Sequence, residues 1–77
     1  MERVQYEGYE IEARTVQLRD DGRWTVDVNL WRDSGGETTV GQFHSGTTFA
    51  TRDEAVQHCI DFGRQIIDGK VAGCTAP

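Results

Sequence analysis

Cysteine is scarce in this sequence, which has Cys59 and Cys74 and no others among its 77 residues. The first residues also lack the basic stretch followed by an apolar stretch that marks a secretory signal. We therefore expect a cytoplasmic protein with reduced thiols and no disulfide framework. No apolar run approaches the roughly 20 residues that a membrane-spanning helix needs, so we expect no membrane association.

Basic residues are also few. Seven arginines and one lysine stand against 13 acidic residues, giving a net charge of −5, and the basic residues form no block. Nucleic-acid binding relies on basic side chains that neutralise phosphates, and docking on an anionic membrane relies on basic clusters, so both are disfavoured. An acidic chain is still compatible with a basic protein partner, or with mimicry of nucleic acid toward a nucleic-acid-binding protein.

Residue spacings that bind metals or phosphates are missing. The candidate metal ligands are His44, His58, Cys59 and Cys74, and no two of them form a chelating pair such as C-x₂-C or H-x₃-H. The segment GKVAGCT contains glycines but lacks the spacing of a phosphate-binding loop. We predict no metal site, no cofactor and no catalytic residues.

Alternating apolar and polar residues predict three strands in the first two thirds of the chain. They lie at about 8–18, 23–31 and 38–44, and Asp21-Gly22 predicts a hairpin turn between the first two. The alternation changes phase near Arg14 and Thr15, which predicts a bulge or twist there. In the third segment Val40, Phe43 and Phe49 are the apolar anchors, and Gly41 and Gly46 predict a bent edge strand.

A helix is predicted at about 52–68, followed by an irregular tail at 69–77. The stretch TRDE forms a capping box, in which the Thr51 hydroxyl accepts from the N–H of Glu54 and the Glu54 side chain reaches back to the N–H of Thr51. Gly69 is expected to end the helix. The apolar residues of the helix fall in one continuous arc, which is typical of a helix packed on a sheet.

The pair His58-Cys59 lies inside this helix and raises the question of a reactive site. Cys59 falls in the middle of the apolar arc, where a free cysteine acts as a small apolar side chain. His58 falls on the polar side, about 100° away around the helix, so the two side chains do not form a pair. We therefore interpret Cys59 as a core residue and His58 as a boundary residue.

These elements predict one α+β domain over residues 1–77. It consists of a three-stranded antiparallel β-meander with one C-terminal α-helix packed on one face (β-β-β-α). A domain of this size buries only about 60% of its unfolded surface, so a homodimer would relieve its thin core. One face of the sheet is left without a covering layer.

Trp31 is the residue on that open face that most needs an explanation. In the alternation of the second strand, Trp31 falls with Asn29 and Thr25 on the side away from the core. Arg14 could share that face. Tryptophan and arginine are typical interface anchors, so these four residues form a possible partner surface. The alternative is that the tail around Val71 covers Trp31.

Three acidic residues, Glu10, Glu12 and Asp27, are also expected on the solvent face of the first two strands. They could act as a general acid and base, but carboxylates on a strand face are more commonly solvated charge.

Four stretches together resemble a family of small uncharacterised bacterial domains. They are YEGYEI, DGRWTVDVNLWR, TFATRDEAVQHCIDFGRQIIDG and GCT, and they cover about residues 6 to 75. The resemblance implies a compact β-β-β-α domain of bacterial origin. It implies no activity and no site residue.

The leading functional hypothesis is a non-enzymatic binding module that forms a homodimer, or binds a protein partner, through the open sheet face around Trp31. The first alternative is a nucleic-acid-related protein, either a direct binder or an acidic mimic. The second is a small enzyme or metal-binding protein that uses His44, His58 and Cys59.

Overall fold

Residues 2–77, which the structure describes, form a four-stranded antiparallel sheet followed by one α-helix; the structure is a computed structural model. The elements are β1 (Arg3–Tyr6), β2 (Tyr9–Ala13), β3 (Trp24–Ser34), β4 (Glu37–Phe49) and α1 (Arg52–Ile67). The strands lie in the order β1-β2-β3-β4. The predicted α+β class, with an antiparallel sheet and one C-terminal helix, is confirmed.

The prediction of three strands is wrong, because an additional strand precedes the predicted first strand at 8–18 and forms a hairpin with it. β1 pairs with β2 around a two-residue turn, with Tyr6 opposite Tyr9. Both turn residues, Glu7 and Gly8, have positive φ angles, of 49° and 82°. Glu-Gly is not among the usual hairpin turn pairs, and β1 is a short strand of mostly polar residues.

β2 itself ends at Ala13, but the predicted bulge near Arg14 is absent. The N–H of Arg14 donates to the carbonyl of Asp27 at 2.9 Å, and the N–H of Leu18 donates to the carbonyl of Arg23 at 2.7 Å. These bonds keep the register of the β2–β3 pair as far as the turn at residues 19–22. The apolar residues that suggested a phase change therefore lie on the face opposite to the core.

The irregularity of the sheet lies in β4 instead. Thr25 pairs with Thr48 and Asp27 pairs with His44, so β4 carries two more residues than β3 between these pairs. Gly46 has a φ of 81°, which glycine adopts without strain. The predicted bend is present, and it allows β4 to extend to Phe49 rather than end at 44.

The ends of α1 follow the predicted signals, with one difference. The Thr51 hydroxyl accepts from the N–H of Glu54 at 3.2 Å, as predicted, but the Glu54 carboxylate accepts from the Thr51 hydroxyl at 3.0 Å rather than from its N–H. At the other end, the N–H of Lys70 donates to the carbonyl of Gln65 at 2.9 Å, which closes the last turn after Gly69. Among residues 2–77, no helix is long and apolar enough to cross a membrane.

The core lies between α1 and one face of the sheet. Its buried apolar residues come from the strands (Ile11, Ala13, Val26, Val28, Leu30) and from the helix (Ala55, Cys59, Ile60, Ile66). Gly63 brings the helix close to β2, since a Cβ atom at this position would lie 2.6 Å from Cγ2 of Ile11. The helix therefore packs directly against the sheet, and in the described part of the chain the opposite face of the sheet carries no helix.

Candidate interaction surface

The sheet face opposite α1, called the open face below, carries alternate side chains of every strand. The register places on it Arg3 from β1, Glu10 and Glu12 from β2, Thr25, Asp27, Asn29 and Trp31 from β3, and Val40, Gln42 and His44 from β4. Arg14 follows β2 and pairs with Asp27 on the same face. The structure thus places the four predicted partner-surface residues, Trp31, Asn29, Thr25 and Arg14, on one face. Their role in binding stays a prediction.

Glu12, at the centre of the open face, accepts hydrogen bonds from three neighbouring side chains. The residue is 2% exposed, and its Oε1 accepts from both the indole N–H of Trp31 and the side-chain amide of Asn29, each at 3.0 Å. Its Oε2 accepts from the guanidinium of Arg3 at 3.3 Å. Both oxygens of this carboxylate are therefore engaged.

The electrostatics of Glu12 follow from these contacts. Burial raises its pKa, but the hydrogen bonds from Trp31 and Asn29 and the charges of Arg3 and Arg14 outweigh burial, so the pKa lies below its ordinary value. The carboxylate is consequently ionised at neutral pH. It serves to orient its neighbours, and the arrangement gives no support to a role as a general acid.

A second polar group lies farther along the open face. Oδ1 of Asp27 is 2.7 Å from Nδ1 of His44, and Oδ2 of Asp27 accepts from the Thr25 hydroxyl at 2.8 Å. Asp27 and His44 border a groove of about 230 Å³ whose lining also includes Arg14 and Gln42. Because Asp27 already has two partners, it orients His44 along the rim of the groove.

Apolar side chains are exposed on this same face. Val16 is 59% exposed, Leu18 38% and Val40 44%, and these are the exposed large apolar residues within residues 2–77. All three lie on the open face, since Val16 and Leu18 continue the alternation of Glu12, and Val40 is directly opposite Trp31. The open face therefore combines a polar centre with apolar side chains at both ends.

The C-terminal tail does not cover this surface. The Tyr9 hydroxyl donates to the carbonyl of Pro77 at 2.6 Å, and Tyr9 lies on the same side of the sheet as Ile11, facing the helix. Cys74 and Val71 pack against the core from that side as well. The alternative in which the tail around Val71 covers Trp31 is therefore wrong.

The four candidate metal ligands do not converge. His44 lies on the open face, while Cys59 is fully buried on the other side of the sheet, where burial raises the pKa of its thiol. His58 stacks on Phe49 with ring centroids 4.0 Å apart, and Cys74 belongs to the tail. No group of three or more histidine, cysteine or acidic side chains within residues 2–77 is placed to hold a metal ion.

Comparison of the chain with protein-family models, with curated proteins and with solved structures finds no match. The resemblance to small bacterial domains therefore stays a prediction.

Two contributions to the open face were missed by the sequence pattern. Arg3 was missed because its strand was missed. Glu12 was interpreted as solvated charge. Trp31 nearby indicated otherwise, because a tryptophan N–H that loses contact with water needs a hydrogen-bond acceptor, and Glu12 can supply one.

Proposed function

We propose that this protein is a non-enzymatic interaction module that self-associates by packing the open faces of two copies against each other. The observation that carries the proposal is the position of Val16, Leu18 and Val40. These exposed large apolar side chains all lie on the sheet face that no helix or tail within residues 2–77 covers. Apolar side chains on an uncovered sheet face are typical of a binding surface.

The layer structure of the fold supports a sheet as the occupant. Within residues 2–77, α1 covers one face of the sheet, and the other face has no covering layer. Two sheets pack face to face about 10 Å apart with their side chains interleaved. A second copy supplies such a sheet without any change in the first.

The charges of the open face also favour a second copy. Arg3 and Arg14 lie among Glu10, Glu12 and Asp27, so the face carries both signs even though the chain has a net charge of −5. In a two-fold contact each surface meets itself, so a face with both signs can place arginines against carboxylates in both directions. A uniformly acidic face would repel its own copy.

Trp31 is the residue whose removal should weaken the contact most. Its N–H is bonded to Glu12, which fixes the ring at low entropic cost, and its ring neighbours Val40. Buried tryptophans at the centre of interfaces contribute about 2 kcal/mol or more on truncation, which corresponds to roughly a 30-fold change in Kd.

The experiment is native mass spectrometry of untagged protein over a range of concentrations. Trp31→Ala should raise the dissociation constant by about 30-fold, whereas Trp31→Phe, which keeps a large ring and loses the N–H, should raise it less. Circular dichroism checks that both variants fold. A wild-type protein that stays monomeric, or an unchanged dissociation constant in Trp31→Ala, would contradict the proposal. The nucleic-acid and metal-binding alternatives stay untested predictions.

A further inference from the structure

We infer that a second copy also binds along the free edge of β4, so that two β4 strands pair in the antiparallel direction around Gly41. This inference concerns the edge of the sheet and does not depend on the open-face contact. It rests on three features of β4: the direction of its backbone groups, the lack of Asp, Glu, Lys and Arg after Glu37, and the position of its bulge.

The backbone groups that face outward from β4 follow from the β2–β3 hydrogen bonds. Arg14 donates to Asp27, and Thr25 donates to Val16, so the odd-numbered residues of β3 bond toward β2. The even-numbered residues of β3 therefore bond toward β4, since these directions alternate along a strand. Leu30 pairs with Gly41, so the odd-numbered residues of β4 face β3. The N–H and carbonyl groups of the even-numbered ones, Thr38, Val40, Gln42 and His44, point outward.

Between Thr38 and His44, before the bulge, the edge lacks the charged residues and prolines that commonly block strand addition. Residues 38–51 contain no Asp, Glu, Lys or Arg, although the chain has 13 acidic and 8 basic residues, and β4 contains no proline. Natural edge strands are commonly protected by charge, by proline or by being very short. The other edge, β1, shows two of these protections, because it has four residues and includes Arg3.

The segment of β4 that is free to pair is symmetric about Gly41. It begins after the turn at Gly35-Gly36 and ends where the bulge begins after His44. Antiparallel pairing centred on Gly41 places Val40 opposite Gln42 of the second copy and Thr38 opposite His44. Like charges directly opposite each other would destabilise the pair, and this register places none opposite each other. The two central residues are glycines and have no side chains.

The helices leave room for this arrangement. α1 packs mainly over β2 and β3 and less over β4. With strands about 4.8 Å apart, pairing of the two β4 strands separates the two helix axes by roughly 19 Å. Packed helices lie about 8–10 Å apart, so the two helices do not collide. The product is a continuous eight-stranded sheet whose two open faces lie side by side.

The test compares Gln42→Pro with Gln42→Ala in the full chain. Proline removes the outward N–H of residue 42 and leaves the hydrogen bonds to β3 in place, because that N–H does not point toward β3. Alanine removes the same side chain and keeps the N–H. Gln42→Pro is expected to weaken assembly at least 10-fold relative to Gln42→Ala by native mass spectrometry, because the two variants lack the same open-face side chain and differ in the N–H. Equal assembly of Gln42→Pro and Gln42→Ala would overturn the inference, as would a monomeric wild type.

The two contacts can be separated by including Trp31→Ala. If both contacts form, the wild type is a tetramer, and Gln42→Pro and Trp31→Ala each reduce it to a dimer. If only Gln42→Pro dissociates the assembly, the edge pairing is supported and the open-face contact is contradicted. If only Trp31→Ala dissociates it, the open-face contact is supported and the edge pairing is contradicted.

Amide hydrogen exchange of the wild type provides a check that needs no variant, in case Gln42→Pro does not fold. The N–H groups of Val40 and Gln42 should exchange at least 10-fold more slowly at assembling concentrations than after dilution. Fast exchange of both groups at every concentration would overturn the edge pairing.

Discussion

The indole N–H of Trp31 donates a 3.0 Å hydrogen bond to Oε1 of Glu12 across the β2–β3 pair. The residue directly opposite Trp31 is Glu10, so the bond runs diagonally to the next residue on the same face. The bond satisfies the polar edge of the indole inside the chain. The apolar part of the ring is thereby left for contact with a second surface, which is why Trp31 is central to the proposed self-association.

The carboxylate of Glu12 should make the stability of the fold depend on acid. Its pKa is lowered in the folded chain, so its contribution is complete above the ordinary glutamate pKa of about 4.3 and is lost as the pH falls through the lower folded value. Glu12→Gln should lower the free energy of unfolding by roughly 1–3 kcal/mol at pH 7, because the donors around it lose a charged acceptor. The deficit should shrink below pH 4.

Urea unfolding of both proteins at pH 7 and at pH 3 to 4 measures this difference. Glu37→Gln, at an exposed position beside the β3–β4 turn, is the matched control and should change the free energy of unfolding by less than about 0.5 kcal/mol at pH 7. A deficit in Glu12→Gln that is the same at both pH values would contradict the assigned role of the carboxylate.

Gly63→Ala should destabilise the fold although alanine is the better helix former. The gain in helix propensity is at most about 1 kcal/mol. The added Cβ would lie 2.6 Å from Ile11, and overpacking of a core commonly costs about 1–3 kcal/mol. Gln57→Ala, on the exposed side of α1, should change the free energy of unfolding by less than about 0.5 kcal/mol. An equally stable or more stable Gly63→Ala would show that the helix does not pack this closely.

The hydroxyl of Thr51 should contribute to stability as the N-cap of α1. Thr51→Ala removes the acceptor for the N–H of Glu54 and should cost about 1 kcal/mol. Thr51→Ser keeps the hydroxyl and should cost much less. Thermal unfolding followed by circular dichroism compares the three proteins, and identical midpoints for alanine and serine would exclude the capping role.

The two thiols should differ in reactivity. Cys59 is fully buried and its thiol pKa is raised by burial, whereas Cys74 is only partly buried in the tail. An aromatic disulfide reagent should therefore label Cys74 first, and label Cys59 only as fast as the fold opens. In urea the two rates should become similar. Rapid labelling of Cys59 in the native protein would contradict its core position.

The sequence predicted the parts of the fold whose signals are local. The Thr51 cap, the apolar arc of α1 and the alternation of β3 each depend on residues close together in the chain. β1 was missed because its pairing depends on the Glu7-Gly8 turn, in which a residue other than glycine takes a positive φ, and because a four-residue strand has too few residues to show alternation. The predicted sheet therefore lacked one edge strand, β1.

The candidate surface was predictable only in part, for a similar reason. The alternation of side chains along the second predicted strand was enough to place Trp31, Asn29 and Thr25 on one face. The contacts that organise the face, from Arg3 and Asn29 to Glu12, join three strands, and their register is set by turns rather than by composition. The apparent phase change at Val16 and Leu18 was informative in a different way, since it marked apolar side chains exposed on the open face rather than a bulge.

The most direct test of the account is hydroxyl-radical footprinting of the wild-type protein at low and high concentration, read by mass spectrometry. If a second copy buries the open face, oxidation of Trp31, Val16 and Leu18 is expected to fall several-fold as concentration rises, while that of His58, exposed on the helix side, stays constant. Oxidation of Trp31 that is unchanged across the range would contradict burial of the open face by a second copy.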